Sequence, residues 1–216
     1  MRQIALALAL TLSAGFSTIY GLNHRQKGIY VQLIVAGCGV MMLGGIYRLV
    51  ASFTGINYVR TFNVGLLSVM GAYMFFFTAN YGKMDSLLDL DKGVNTTYNM
   101  VAGVFSGIMI LMYLAILGSP TTTQYKVTAL IIVLHIALSS FYSIKHLMVP
   151  DIEGGIVGTL KPFNAVLAAS GVAYIVFLIG EAWQNAIIMW IGMGALSVTM
   201  VLMTPVLMSC VRKWIV

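Results

Sequence analysis

The sequence predicts an all-α membrane protein, a polytopic bundle of seven transmembrane helices with almost nothing outside the bilayer. Three observations carry this. Charged residues make up 8% of the 216 positions and hydrophobic residues 60%, whereas soluble domains carry roughly 25% charged residues. Mean hydropathy is +0.94, and lipid, unlike water, solvates apolar side chains directly. Seven apolar runs follow one another at about 3–22, 29–53, 59–80, 98–118, 124–148, 157–180 and 185–211. Each is near or above the ~20 residues that cross ~30 Å of hydrocarbon.

The first run opens like a signal peptide, with Arg2, then IALALALTL, then small residues at Ser13–Gly15. Its apolar stretch continues to Leu22 and is read as a retained helix. Gly37, Gly39, Gly44 and Gly45 crowd the second run, where small residues let helices approach closely. The segment 81–97 reads as a solvated loop. Its Asp85, Asp89 and Asp91 lack the spacing of a calcium loop. Asn95-Thr96-Thr97 is formally a glycosylation sequon, which an inner loop would leave unused. Pro162 suits the first turn of the sixth helix, and Pro205 predicts a kink or tilt in the seventh.

The net charge is +6 and the pI about 9.4. The basic residues sit in loops and at helix ends, which sets orientation and excludes a nucleic-acid surface. With the N-terminus outside, the inner face holds Arg25, Lys27, Lys83, Lys92, Lys145, Lys161, Arg212 and Lys213, and the outer face Arg2, Arg48, Arg60 and Lys126. The expected arrangement is therefore N-out/C-in, in the plasma (cytoplasmic, or cell inner) membrane. Cys38 falls mid-span and Cys210 ends the last span, too far apart to pair. No CxxC or similar cluster suggests a metal, and no cofactor is expected.

The first and fifth runs resemble one another. Residues 5–24 lie without gaps on 127–146, matching Ala7 with Ala129, Ser17 with Ser139, Tyr20 with Tyr142 and His24 with His146. In the second and sixth runs, Gln32 meets Asn164 and Gly39 meets Gly171. In the third and seventh, GLLSV at 65–69 meets GALSV at 194–198. Within one transmembrane domain, 1–216, these matches predict a 3+1+3 internal repeat: units 3–80 and 124–211 joined by a linker helix, 98–118. An even number of crossings precedes the second unit, so the repeat is parallel.

This layout is similar to that of SWEET and PQ-loop transporters, whose repeats carry Pro-Gln. Here the prolines precede Thr121, Asp151, Phe163 and Val206. A seven-helix microbial rhodopsin needs a lysine midway along its last helix, and the last run here has none before Lys213. The likeness is therefore one of layout alone.

A polar stripe is the most informative feature. Ser13, Ser17, Tyr20 and His24, and likewise His135, Ser139, Tyr142 and His146, recur at helical spacing on one face. Polar groups in hydrocarbon turn toward the bundle interior or a watery path. The two faces are thus expected to point inward, toward one another. Serine and tyrosine in such helices commonly serve packing and interhelical hydrogen bonds. His135 is ionisable at mid-membrane, which makes it a site candidate. Gln32 and Asn164 form a matching amide pair. His135, Ser139, Ser13, Ser17, Gln32 and Asn164 are the expected solute-binding residues.

Arg48 is placed to snorkel outward, at the level of Glu181, and the two suit a salt bridge or a gate. Met189, Met193, Met200, Met203 and Met208 suit Cu(I) or, more ordinarily, packing. No HExxH, GxSxG, Walker loop or mid-membrane carboxylate pair occurs, so no enzyme is expected. A lipid-modifying site built from His24, His146 and nearby tyrosines would be an unusual constellation. The expected function is a small-solute permease with its site between two three-helix repeats. The alternative is a membrane sensor or accessory subunit acting through a partner membrane protein.

Overall fold

The computed structural model describes residues 1–24, 28–54, 64–81, 92–148 and 156–212. Arg25, Lys27, Arg60, Lys83, Lys213 and the three aspartates of the 81–97 segment lie outside the described residues. The described residues form helices α1 (Arg2–Asn23), α2 (Ile29–Phe53), α3 (Val64–Ala79), α4 (Lys92–Leu117), α5 (Thr123–Met148), α6 (Lys161–Ala182) and α7 (Ala186–Val211). A single helical turn, Ile156–Thr159, precedes α6.

Six of these helices are long and apolar enough to cross a membrane, and α3, at 16 residues, is shorter. At 1.5 Å per residue, the 22 residues of α1 rise about 33 Å. The chain is an integral membrane protein whose exposed apolar faces meet lipid. Leu12, Leu22, Phe53, Leu111 and Ile187 all point outward. The fourth helix begins at Lys92, ahead of the predicted 98.

Successive helices are antiparallel. α1 packs on α2 and α7, α2 on α3, α3 on α5, α5 on α6, and α6 on α7, closing a ring. α4 stands outside this ring against α5 and, less extensively, α6. Hydrogen bonds that fasten it include Ser106 Oγ to the Ala137 carbonyl at 3.0 Å, Tyr113 OH to the Lys126 carbonyl at 3.0 Å, and Trp183 Nε1 to the Ala115 carbonyl at 2.8 Å. The sequence reading set α1 and α5 face to face. Instead α5 packs on α3, α4 and α6, and α1 on α2 and α7.

Glycines set the closest crossings. A methyl group at Gly45 would stand 2.9 Å from the Thr11 backbone nitrogen, wedging α1 from α2. One at Gly192 would stand 2.4 Å from the Phe177 nitrogen, where α7 crosses α6. The α6–α7 turn is tight: Gln184 adopts φ 51°, and Asn185 Oδ1 caps α7 by accepting from the Ile187 and Ile188 amides at 3.0 and 3.2 Å.

The centre of the ring is filled. Tyr73, Phe76, Phe163, Tyr174, Phe177 and Met41 are all fully buried there. The five methionines singled out on α7 are buried in the same apolar core. Cys38 and Cys210 are both buried and free.

Candidate functional site

Buried polar groups gather at two levels, one near each end of the bundle. The end where α1 begins is here called proximal, and the end where it finishes distal.

The proximal level holds an ion pair. Arg48 lies in the last two turns of α2 and Glu181 in the last turn of α6, and because α2 and α6 run in the same direction both stand at the same height. Arg48 Nη1 donates to Glu181 Oε1 at 2.8 Å, and the side chains are only 4% and 1% exposed. Tyr125, from the first turn of α5, donates its hydroxyl to Glu181 Oε2 at 2.9 Å. Arg48 Nη2 lies 3.5 Å from both Tyr174 OH and Glu181 Oε2, and the guanidinium carbon sits 5.2 Å from the centre of the Phe177 ring. Arg48 therefore turns into the bundle and does not snorkel outward. A buried carboxylate at the same height offers it a charge-assisted bond that a lipid-facing route would forgo.

The distal level is built around Asn80, at the end of α3. Tyr30 OH, on α2, donates to Asn80 Oδ1 at 2.9 Å. Asn80 Nδ2 donates to Ser143 Oγ on α5 and to Asn164 Oδ1 on α6, each at 3.1 Å. Ser143 Oγ in turn donates to the Ser139 carbonyl at 3.0 Å. Four helices thus meet through neutral side chains, all buried. Asn164 Nδ2, Ser139 Oγ and Ser140 Oγ have no hydrogen-bond partner among the described residues. Between the two levels, Tyr73 OH and Ser170 Oγ lie 3.1 Å apart, joining α3 to α6.

The six expected site residues divide. Asn164 and Ser139 belong to the distal level. Ser13 is buried, but its hydroxyl bonds the Leu10 carbonyl of its own helix at 3.2 Å. Gln32 is exposed. His135 is only half-buried, and its Nδ1 lies 2.7 Å from the Ile131 carbonyl one turn back. The buried arc of α5 runs through Ile132, Ile136, Ser139, Ser140 and Ser143, and His135 sits at its rim.

Ser17 does something else. Its hydroxyl bonds the Met200 carbonyl of α7 and lies 3.4 Å from the Thr204 amide. That amide and carbonyl are one helical turn apart, so the Ser17 hydroxyl bridges the two backbone groups one residue before Pro205. Thr204 Oγ1 answers by donating to the Ser17 carbonyl at 2.8 Å. Ser17→Ala is expected to lower the unfolding free energy by about 1 kcal/mol, read as a lower thermal midpoint in detergent. An unchanged midpoint would mean that this bridge adds nothing to stability.

Asn80, Tyr30, Tyr125 and Tyr174 escaped the sequence reading. The available signal was weak: an amide closing an apolar run, and tyrosines whose direction run length does not encode. Among the described residues no group of three or more His, Cys, Asp or Glu could hold a metal ion. Comparison with known proteins adds no identity: no family model matches the chain, and no curated protein or solved structure matches it.

Proposed function

We propose that the protein is a small-solute permease of the plasma membrane, oriented N-out/C-in, with two parallel three-helix units, α1–α3 and α5–α7, flanking one solute path. The observation that carries this reading is the seam between α2–α3 and α5–α6. It holds the distal network with its three spare polar groups. Polar groups inside a membrane bundle are costly and mark solute or ion routes. The unit exchange α1↔α5, α2↔α6, α3↔α7 converts the α1–α7 contact into α5–α3, and both contacts exist, which supports the repeat. On this reading the proximal level faces outward and the structure is closed at both ends. The solute site is Asn164, Ser139, Asn80, Ser143 and Tyr30. His135 and Gln32 lie outside it. Transport would proceed by rocking of one unit against the other.

A thermal-stability screen of the purified protein against amino acids, amines, sugars, nucleosides and vitamins tests the proposal. A ligand at about 100 times its Kd stabilises by roughly 2.7 kcal/mol. The shift is expected to vanish in Asn164→Ala and to persist in His135→Ala. The reverse pattern would return the site to the lipid-facing side of α5.

The filled centre favours a second reading, a sensor or accessory subunit. Tyr73, Phe76, Tyr174 and Phe177 leave the bundle packed as a structural element would be. A well-folded protein that no solute stabilises would favour it.

A further inference from the structure

The proximal ion pair has a role the solute site does not absorb. Stability alone does not account for it, because an apolar pair of similar volume generally packs as well as a buried salt bridge, or better. Its geometry is also asymmetric. Across the seam Arg48 meets Glu181, Tyr174 and the Phe177 ring, which all belong to α6. If the seam parts, Arg48 leaves with α2 and loses these together. Glu181 keeps Tyr125, whose hydroxyl holds its second oxygen at 2.9 Å.

Resting on the permease reading, we infer that the pair selects the solute's charge, and that the solute is an amino-acid-like zwitterion. The closed pair sums to zero. A simple anion entering between the groups satisfies Arg48 and strands Glu181, and a simple cation does the opposite. A molecule with one carboxylate and one ammonium group replaces both halves at once. Its carboxylate meets the two-nitrogen edge of Arg48, the geometry that guanidinium groups favour. Its ammonium meets Glu181 near the Phe177 ring, whose face already receives a cation. The position suits first contact from water. Glu181 stands one residue before the end of α6 at Ala182, and Arg48 five residues before the end of α2 at Phe53.

The test uses thermal stabilisation and equilibrium binding with the full-length purified protein. The twenty free amino acids are screened first. The amino acid giving the largest shift is then compared with its carboxamide and its N-acetyl derivative, which keep the side chain but remove one charge each. The expected result is binding of the parent at least tenfold tighter than either derivative, lost in Arg48→Met/Glu181→Leu. Folding of that double variant is checked by its elution profile and melting. If it does not fold, Tyr125→Phe removes only the hydroxyl on Glu181 and is expected to weaken the parent severalfold. Equal binding of either derivative, or undiminished binding in the variants, overturns the inference. Stabilisation by another solute class alone overturns it and leaves the permease standing. No stabilisation by any solute overturns both.

Discussion

Glu181→Ala is expected to lower the unfolding free energy by roughly 3–5 kcal/mol, the range seen when one partner of a buried ion pair is removed. The loss does not measure the strength of the bond. Arg48 is 4% exposed, and without the carboxylate its charge remains inside the bundle, beside the Tyr174 hydroxyl and the Phe177 face. Tyr125 loses its 2.9 Å bond to Glu181 as well and keeps the longer contact, 3.5 Å, to the Leu178 carbonyl. Arg48→Met/Glu181→Leu removes both charges and refills the space, so it is expected to recover most of the loss. Reversible unfolding in mixed micelles, with the single and double variants side by side, measures the difference. A double variant no better than Glu181→Ala would mean that the apolar replacements fail to pack, and that geometry, not stranded charge, dominates at this level.

Gly192→Ala is the second large effect. The added methyl would stand 2.4 Å from the Phe177 nitrogen and 2.6 Å from its Cα. Both are backbone atoms of α6, so no side chain can rotate away and the helices must separate. Overpacking of this kind costs about 1–3 kcal/mol, and the upper end is expected here. Gly194→Ala is the control on the same helix. A methyl group there meets nothing within 4 Å, and the substitution is expected to be neutral or to gain up to about 1 kcal/mol from better helix propensity. Equal melting points for the two variants would show that α6 and α7 can be moved apart at little cost.

Much of the fold was legible because hydrocarbon imposes a minimum length on each helix, and run length is a one-dimensional quantity. Neighbour relations are not. Spacing put Ser139 on a buried face, and Ser143, one turn further, shares it. The same arithmetic promoted His135, which lies on the edge of that arc, where a few tens of degrees separate core from lipid. Matching height named Glu181 as a partner for Arg48 across 133 positions, but helix position alone did not show that the pair turns into the bundle and not outward. Asn80 is the hub of the distal network, yet in the sequence it is one amide between an apolar run and a loop. Only the meeting of α2, α3, α5 and α6 gives it its partners. The α1–α5 likeness suggested that the two helices face one another. Helices alike in sequence need not touch, and here each packs on other neighbours.

The position of α4 bears on how the protein is made. Of the six long helices it has the most apolar window and the least buried one. Its contacts are with α5 and α6, both synthesised after it. On leaving the ribosome it has no finished partner and must partition into lipid on its own hydrophobicity. α1, α2 and α3, by contrast, pack consecutively and can assemble as they emerge. The contact between α1 and α7 forms only after α7 has been delivered, when the Ser17 hydroxyl reaches Met200 and Thr204 beside Pro205. Insertion of the early helices and closure of the ring are thus separate events in biogenesis. A defect in the α1–α7 clasp would leave a fully inserted but open chain, a natural target for membrane quality control.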